Sequence, residues 1–511
     1  MNVLIVTGKK AQHTVQEAIN KTSHKLTYTP ILRILDLEVA AFITPKHLLH
    51  IMAEFDEIFD LILIPGLITA DFSGIENQYH TNVRLGPKNA YDLDIILPQL
   101  PGAKLSKTVP ACVLLLQVHE HKALLTIRQF ESVAGSAFSL NGLNIGKNSL
   151  MKVVSEIVDA TQMDDESLTE RIQYLASQGC DIIDLGCSLD ATPAQVTHAV
   201  NLAKATKISP ITHIQKTKNI TSIPISIDTL RPDLIIAALD AGVDLVLSIS
   251  SNNVDAVGKA IAKKGAAAVV IYEKEAGFDT FIDTIARARR YGIEKIIADP
   301  VFDSIGQRLV ESTARYSRFR QIDKNTPLFL GAGNVTELID ADSIGVNALC
   351  AGIASELGAH ILFTTEASTK TQGSTRELAR AAAMMKLAQM RDSPPKDLGI
   401  DLLVIKEKRG RDDMVIPDVA AIIQAKDELL EYALDPKGCF TIGISRKTGH
   451  IIAIYRRSTT IIGKTARNVM DEILRRELVS SISHGAYLGG ELMRAELAIR
   501  FGRSFMQDGD F

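Results

Sequence analysis

One unit repeats between Ile223 and Asp299: a run of about five apolar residues stopped by a polar one, then a helix-like segment. Ile223-Pro-Ile-Ser-Ile-Asp228, Asp244-Leu-Val-Leu-Ser248, Ala267–Ile271 and Lys295-Ile-Ile-Ala-Asp299 are the runs, with Arg231–Ala241 and Phe281–Tyr291 among the segments between them. Runs this short and this continuously apolar read as strands buried on both faces, which is the condition inside a parallel sheet. Strand and helix in alternation make βαβ units. Such sheets bind their ligands outside the C-terminal ends of the strands. Asp228 and Asp299, which end two of the runs, are therefore the first candidates for a site.

The same pattern extends in both directions. Strands are predicted at Lys152–Val158, Asp181–Leu185, Ile223–Ile227, Asp244–Ile249, Ala267–Ile271, Lys295–Ala298, Leu328–Leu330 and His360–Phe363, and the helices stop at Gly179, Gly242 and Gly292. Eight strands with room for a helix after each predict a (β/α)8 TIM barrel over residues 149–392. Residues 1–148 read as an N-terminal α/β domain, with strands at Val3–Val6, Asp60–Ile64 and Ala111–Leu116. Its first loop, Thr7-Gly8-Lys9-Lys10, holds one glycine, so the Gly-x-Gly-x-x-Gly dinucleotide pattern is absent. Ser393-Pro394-Pro395 cannot continue a helix and opens a C-terminal α+β domain, residues 393–511. There Phe440–Ser445 and His450–Tyr455 read as a hairpin around Arg446-Lys-Thr-Gly449. A helix follows over Thr465–Leu478, then a separate Ser483–Gly490 stretch, then a last helix through Arg500.

A formal charge of −4 and a pI near 6.3 give no basic field, so nucleic acid is not expected as a partner. The five cysteines are scattered without a Cys-x-x-Cys pair, which argues against a zinc ribbon or a disulfide framework. Neither a signal-peptide pattern nor a run of ~18 apolar residues occurs, and a cytoplasmic protein without membrane insertion is expected. His119 and His121 would share one face of a strand, but no third ligand is identifiable and no metal set is complete. Gly86-Pro-Lys-Asn-Ala-Tyr-Asp92 reads as a turn at a helix start rather than a phosphate loop. Gly463-Lys464-Thr465 lacks the glycine of a nucleotide P-loop, since Ser458 stands there. Ser445-Arg446-Lys447 reads as a turn, and His484 with Glu491 as structural.

The barrel resembles the pterin-binding superfamily that includes dihydropteroate synthase and the methyltetrahydrofolate-dependent corrinoid methyltransferases. The carrying residues are Gly179-Cys-Asp-Ile-Ile-Asp-Leu-Gly186, Ile225-Ser-Ile-Asp-Thr229, Ile296-Ile-Ala-Asp-Pro300 and Leu330-Gly-Ala-Gly-Asn-Val-Thr336. The whole layout is similar to the dihydropteroate synthase-related proteins of methanogens and C1-using bacteria, through Phe42-Ile-Thr-Pro45, Leu63-Ile-Pro-Gly66, Gly86-Pro-Lys88 and Gly333-Asn-Val-Thr-Glu-Leu-Ile-Asp340. The tail, with His484-Gly-Ala-Tyr-Leu-Gly489 and Ala495-Glu496, resembles a domain also fused to a tetrahydromethanopterin methyltransferase subunit.

The resemblance implies a reduced pterin ligand of the tetrahydromethanopterin or folate type. A pterin's pyrimidine edge presents an amine and a ring N–H side by side, and a carboxylate accepts both at once. That role carries onto Asp228 and Asp299, with Asp184 in the same mouth. Ser248 stands where the family has Asn at the end of strand 4, and Glu156 where the synthase has Asn on strand 1. The synthase's Ser-Arg-Lys after strand 7 is replaced by Gly331-Ala-Gly-Asn334, and its Arg and His after strand 8 fall near Phe363 and Thr365. Asn334 matches the methyltransferase residue that hydrogen-bonds the pterin near N5, while Gly331 and Gly333 permit close backbone approach, by a phosphate for example. Outside the family, Asp228 and Asn334 read as helix N-caps. The functional expectation is condensation of a dihydropterin with an arylamine in pterin cofactor biosynthesis. The alternatives are one-carbon transfer from a tetrahydropterin and a non-catalytic pterin carrier or assembly subunit. A homo-oligomer, and a protein partner on the C-terminal domain, are expected.

Overall fold

In the computed structural model, residues 1–55, 58–208, 222–406, 423, 425 and 434–509 are described. They form two compact units, Met1–Leu402 and Leu403–Phe511.

The first unit opens with a four-stranded parallel sheet of β1 (Val3–Gly8), β2 (Pro30–Leu35), β3 (Leu61–Ile64) and β4 (Asn82–Leu85). Its order is β2-β1-β3-β4, an open α/β sheet as predicted. Ala111–Leu116 is not one of its strands. It is the first part of a 23-residue helix, Ala111–Val133. A short apolar run does not by itself separate strand from buried helix, and here the periodicity continues: Ala111 packs under the N-terminal sheet, and Ala123 and Ile127, on later turns, in the barrel's shell. His119 and His121 consequently lie two residues apart on a helix, not on one strand face. Gly86 and Pro87 form a tight contact with the loop after β3: Gly66 N–H donates to Pro87 O at 2.9 Å, and a Cβ on Gly66 would lie 2.5 Å from Gly86 O. That segment is a turn ahead of the short helix Ala90–Asp92, and Gly86 and Gly66 serve backbone packing between the two loops.

A hairpin of β5 (Phe138–Leu140) and β6 (Leu143–Ile145) precedes the barrel. The eight barrel strands are β7 (Lys152–Ile157), β8 (Ile182–Gly186), β9 (Ile225–Asp228), β10 (Leu245–Ile249), β11 (Ala267–Ile271), β12 (Ile296–Asp299), β13 (Phe329–Gly331) and β14 (Ile361–Thr365). All pair in parallel around the ring, and an Ala298–Leu328 bridge joins β12 to β13 to close it. Every predicted barrel strand is present. Alternation along each strand sends one set of side chains inward. Val154, Ile182, Leu245, Leu247, Val269, Ile297, Phe329 and Ile361 fill the interior together with Leu140, Leu143 and Ile145 of the hairpin, which therefore plugs the N-terminal end. The opposite set, including Val153, Ile183, Leu185, Val246 and Ala298, packs against the surrounding helices. Helix Ser374–Arg391 ends shortly before Pro394, and Leu398 and Ile400 still pack in the barrel's shell.

The second unit carries an antiparallel sheet of β15 (Phe440–Ser445), β16 (His450–Tyr455) and β17 (Thr459–Gly463), so the predicted hairpin is extended by one strand. Gly463 ends that strand and Thr465 caps the next helix, Ala466–Arg475, accepting from Asn468 N–H. The Ser483–Gly490 stretch is not separate: it lies inside one helix, Ile482–Phe501. Ser481 caps that helix, and a Cβ at Gly485 would stand at ordinary contact distance, 3.7 Å, from Val479. His484 Nδ1 lies 3.1 Å from an Asp435 carboxylate oxygen, and Asp435 also receives the Ser480 and Ser481 N–H groups. No described helix is long and apolar enough to cross a membrane.

Candidate functional site in the barrel mouth

The inward alternation that buries Val154 and Ile182 also fixes the acids. Glu156 lies two residues beyond Val154 and Asp184 two beyond Ile182, so both point into the barrel at its C-terminal end. They are register neighbours, as are Asp184 and Ser226, while Gly186 pairs with Asp228. Glu156, Asp184 and Asp228 thus meet: one carboxylate oxygen from each lies within 4.8 Å of the others. Asp184 is fully buried. Its Oδ1 accepts the Ser226 hydroxyl, and its Oδ2 has no hydrogen-bond partner among the described residues. Gly186 leaves Glu156 its place here, since a Cβ would lie 2.6 Å from Glu156 Oε1.

Carboxylates this close, and this buried, raise one another's hold on a proton. Burial pushes Glu156 up to about 7, aided by the charges of Asp228, Asp159 and Glu337. Asp228 is raised to about 6 by burial, and Asp184 lies well above the ordinary range through burial and its two neighbours. Cys187 beside them is pushed up to about 12, so it stays a thiol rather than a nucleophilic thiolate.

Asp299 faces the triad from the other side, four strands from β8 in either direction around the ring. Its Oδ1 accepts Val301 N–H at 2.8 Å and the Tyr316 hydroxyl at 3.2 Å. Burial still lifts it to about 7. Val301 has a φ of 63°, a strained value for a β-branched residue. Arg315 holds that loop, donating to Pro300 O at 2.9 Å, to Val301 O at 2.7 Å and to Asp303 at 2.7 Å. Sequence reasoning does not find Tyr316 or Arg315. Both sit on the helix after β12, and nothing in their spacing marks them. It also passes over Glu366, directly after β14, which is buried and accepts Tyr174 O–H and Thr375 N–H, both at 3.1 Å.

The N-cap readings of Asp228 and Asn334 fail. The helix after β9 starts at Pro232 with Arg231 as its cap, and the four-residue helix Gly333–Thr336 is capped by Ala332. Asn334 is exposed and donates its Nδ2 to Phe302 O at 2.9 Å. The missing side chain of Gly331 makes room for that amide, which a Cβ would approach to 2.9 Å, and Gly333 packs against the backbone of β14. Ser248 is buried on β10 and receives Asn253 Nδ2 on its carbonyl at 3.3 Å. Asn253 is spent on Leu230 O and Ser250 N–H, and Asn252 on Glu273.

A closed (β/α)8 barrel with inward acids at its C-terminal mouth defines a class of small-molecule-binding proteins. Residues 155–364 match the family described as "Pterin binding enzyme", and residues 434–508 match the domain family PterinBD-DUF4346. An uncharacterized protein of Methanocaldococcus jannaschii is 34% identical over 540 aligned residues, covering 100% of this chain and 99% of that protein. A Ycf91-like protein of Nostoc is 29% identical over 127 residues, which is 19% of this chain and 99% of that one. Among solved structures, the dihydropteroate synthase of Yersinia pestis is 20% identical, with a TM-score of 0.37 over 50% of this chain and 98% of that chain. The Thermus thermophilus synthase in complex with 4-aminobenzoate is 16% identical, with a TM-score of 0.36 over 47% and 95%. The chain belongs to the pterin-binding (β/α)8 family.

Proposed function

We propose that the protein takes a reduced pterin of the tetrahydromethanopterin or folate type into the barrel mouth and condenses a dihydropterin with an arylamine in pterin cofactor biosynthesis. The observation that carries this reading is a pair of acids, Asp228 and Asp299, at strand ends on different sides of one mouth. Neither forms an ion pair among the described residues, so each carboxylate is available to a ligand. Asp228 and Asp299 accept the pterin's amine and ring N–H groups, with Asp184, Ser248 and Glu156 lining the same space. In the condensation the arylamine nitrogen forms a bond to the pterin's exocyclic carbon and gives up a proton, as the bond from that carbon to its oxygen leaving group breaks. The absence of the synthase's cations at Gly331–Asn334 and near Thr365 fits an arylamine other than aminobenzoate.

Asn334 favours a second reading, one-carbon transfer. Its amide nitrogen is committed to Phe302 O, which leaves Oδ1 as an acceptor for a protonated ring nitrogen.

Calorimetric titration with a dihydropterin, tetrahydrofolate and tetrahydromethanopterin tests the site. Asp228→Asn is expected to weaken binding on the order of 100-fold, because it replaces a charged two-point acceptor by a neutral group with a misplaced donor. Unchanged affinity in that variant would remove Asp228 from the site. Release of the leaving group on mixing dihydropterin ester and arylamine supports condensation, and its absence alongside methyl transfer supports the second reading.

A further inference from the structure

We propose that Arg315 is a positioning residue for both Asp299 and Asn334, which it joins into one unit by clamping the loop 300–303 between them. The acceptors of that loop are taken up one after another. Arg315 donates from Nε to Pro300 O at 2.9 Å, and from one terminal nitrogen to Val301 O and Asp303 Oδ2, both at 2.7 Å. Asn334 Nδ2 takes the next carbonyl, Phe302 O, at 2.9 Å. The guanidinium also lies over the Tyr272 ring, 4.6 Å from its centre, and Tyr272 N–H donates to Asp299 O at 2.8 Å. The loop is thus gripped from the end of β11, from the helix Leu309–Ile322 and from the loop after β13.

The grip answers a backbone cost. Val301 stands at a φ of 63°, which a β-branched side chain resists. That conformation carries Val301 N–H to Asp299 Oδ1 at 2.8 Å, where the Tyr316 hydroxyl also arrives at 3.2 Å. Oδ1 is thereby occupied, and Oδ2, without a hydrogen-bond partner among the described residues, is the oxygen left for a ligand. A loop free to relax would withdraw the Val301 donor and let the carboxylate turn. With Nε and a terminal nitrogen committed to the loop, Arg315 acts on a ligand through Asp299 and Asn334. The consequence for ligand affinity rests on the pterin reading; the clamp itself does not.

Two measurements on the full chain test the proposal. The first needs no ligand: the ionisation of Asp299, followed by NMR of carboxyl-13C aspartate, with its signal assigned by its loss in Asp299→Asn. The groups that bear on this titration are Val301 N–H, Tyr316, Arg315 and Asp303. Arg315→Lys keeps the charge but offers one nitrogen where the loop uses two. It is expected to move the midpoint upward from about 7, by roughly one pH unit, as the ionised form loses its Val301 donor. Val301→Gly, which adopts a positive φ without strain, is expected to restore part of that loss in the Arg315→Lys background. Asn334→Ala frees Phe302 O and is expected to move the midpoint the same way by less, with the double variant Arg315→Lys/Asn334→Ala falling short of the sum. Because Asn334 is exposed, Asn334→Ala gives an independent answer if Arg315→Lys does not fold. The second measurement is calorimetry with a dihydropterin at pH 7, where Arg315→Lys is expected to weaken binding severalfold. A midpoint unchanged in either single variant, or full additivity in the double one, overturns the proposal. A midpoint that moves in a chain that binds no pterin removes the pterin reading and leaves the clamp standing. A midpoint that moves while pterin affinity holds removes Asp299 from the pterin site and again leaves the clamp.

Discussion

The two ends of the barrel use the same residue types to opposite effect. At the N-terminal end the acids serve the scaffold. Asp181 accepts Val153 N–H at 2.8 Å, and Asp244 accepts Ile225 N–H at 2.9 Å and the Asn141 amide at 3.2 Å. Glu131 accepts Leu150 N–H at 2.8 Å and pairs with the fully buried Lys152 at 2.5 Å. At the C-terminal end, Glu156, Asp184 and Asp228 crowd together with one hydroxyl, from Ser226, among them. Asp181 and Asp184 share one short stretch of chain, so composition cannot tell them apart. What separates these scaffold acids from the Glu156, Asp184 and Asp228 cluster is whether backbone N–H groups already use the carboxylate.

The largest expected effect breaks the satisfied end. Lys152→Met leaves Glu131 as an uncompensated buried charge, and removal of one partner of such a pair costs about 3–5 kcal/mol. Denaturant unfolding should show the loss as a lowered midpoint for the first unit. A cost below about 1 kcal/mol would mean that the N-terminal end is no more firmly held than an exposed ion pair, and the contrast would fail.

Glu156→Gln tests the other end and should have the opposite sign. The carboxyl of Glu156 is raised to about 7, so the folded chain holds its proton more tightly than the unfolded one. The stability this confers is full below the unfolded value near 4.5 and is lost as pH rises to about 7. The variant should therefore match wild type near pH 4.5 and be more stable by at most about 3 kcal/mol at pH 8, since a tenfold change in proton affinity is worth roughly 1.4 kcal/mol. Unfolding curves without divalent cations at both pH values decide the matter. Equal stability at pH 8 would mean that the acids do not strain one another.

This difference also sets what is legible in the sequence. The eight strands are readable because burial on both faces leaves continuous apolar runs, and Asp228 and Asp299 because they stop those runs. Glu156 has no such signal: it stands in Lys-Val-Val-Ser-Glu-Ile, with polar residues on both faces, and only the family resemblance raises it. Its meeting with Asp184 and Asp228 depends on register between strands, which no single strand encodes. Ala111–Leu116 reads as a strand because a helix that crosses from one core to another is apolar on more than one face. Arg315 and Tyr316 act on the Asp299 loop from a helix 15 and 17 residues away from the groups they hold, and their role arises only from packing.

Asp299 gives a pH test on its own side of the mouth. Burial raises it to about 7, against the help of Val301 N–H, Tyr316 and Arg315. The ionised carboxylate is the stronger acceptor of a pterin N–H, so affinity should rise with pH and level off above about 7. Below that value it should fall up to tenfold per pH unit, the limit for one proton. Calorimetry in Asp299→Asn should show weak binding with that dependence removed. A profile unchanged by the substitution would assign the titration to the triad instead.

The smallest expected effect concerns the loop after β13. Gly331 has no left-handed backbone to defend; it matters because a Cβ would stand 2.9 Å from the Asn334 amide nitrogen. That nitrogen belongs to a flexible, exposed side chain, so Gly331→Ala should leave stability within about 1 kcal/mol of wild type while moving Asn334 away from Phe302 O. If Asn334 Oδ1 accepts a protonated ring nitrogen, tetrahydropterin affinity should drop severalfold and dihydropterin affinity should hold. If the mouth serves condensation alone, with the pterin gripped by Asp228 and Asp299, both affinities should hold. Parallel titration of the two pterins against Gly331→Ala and Asn334→Ala therefore separates the two readings, because only a ligand that touches the amide responds to its displacement.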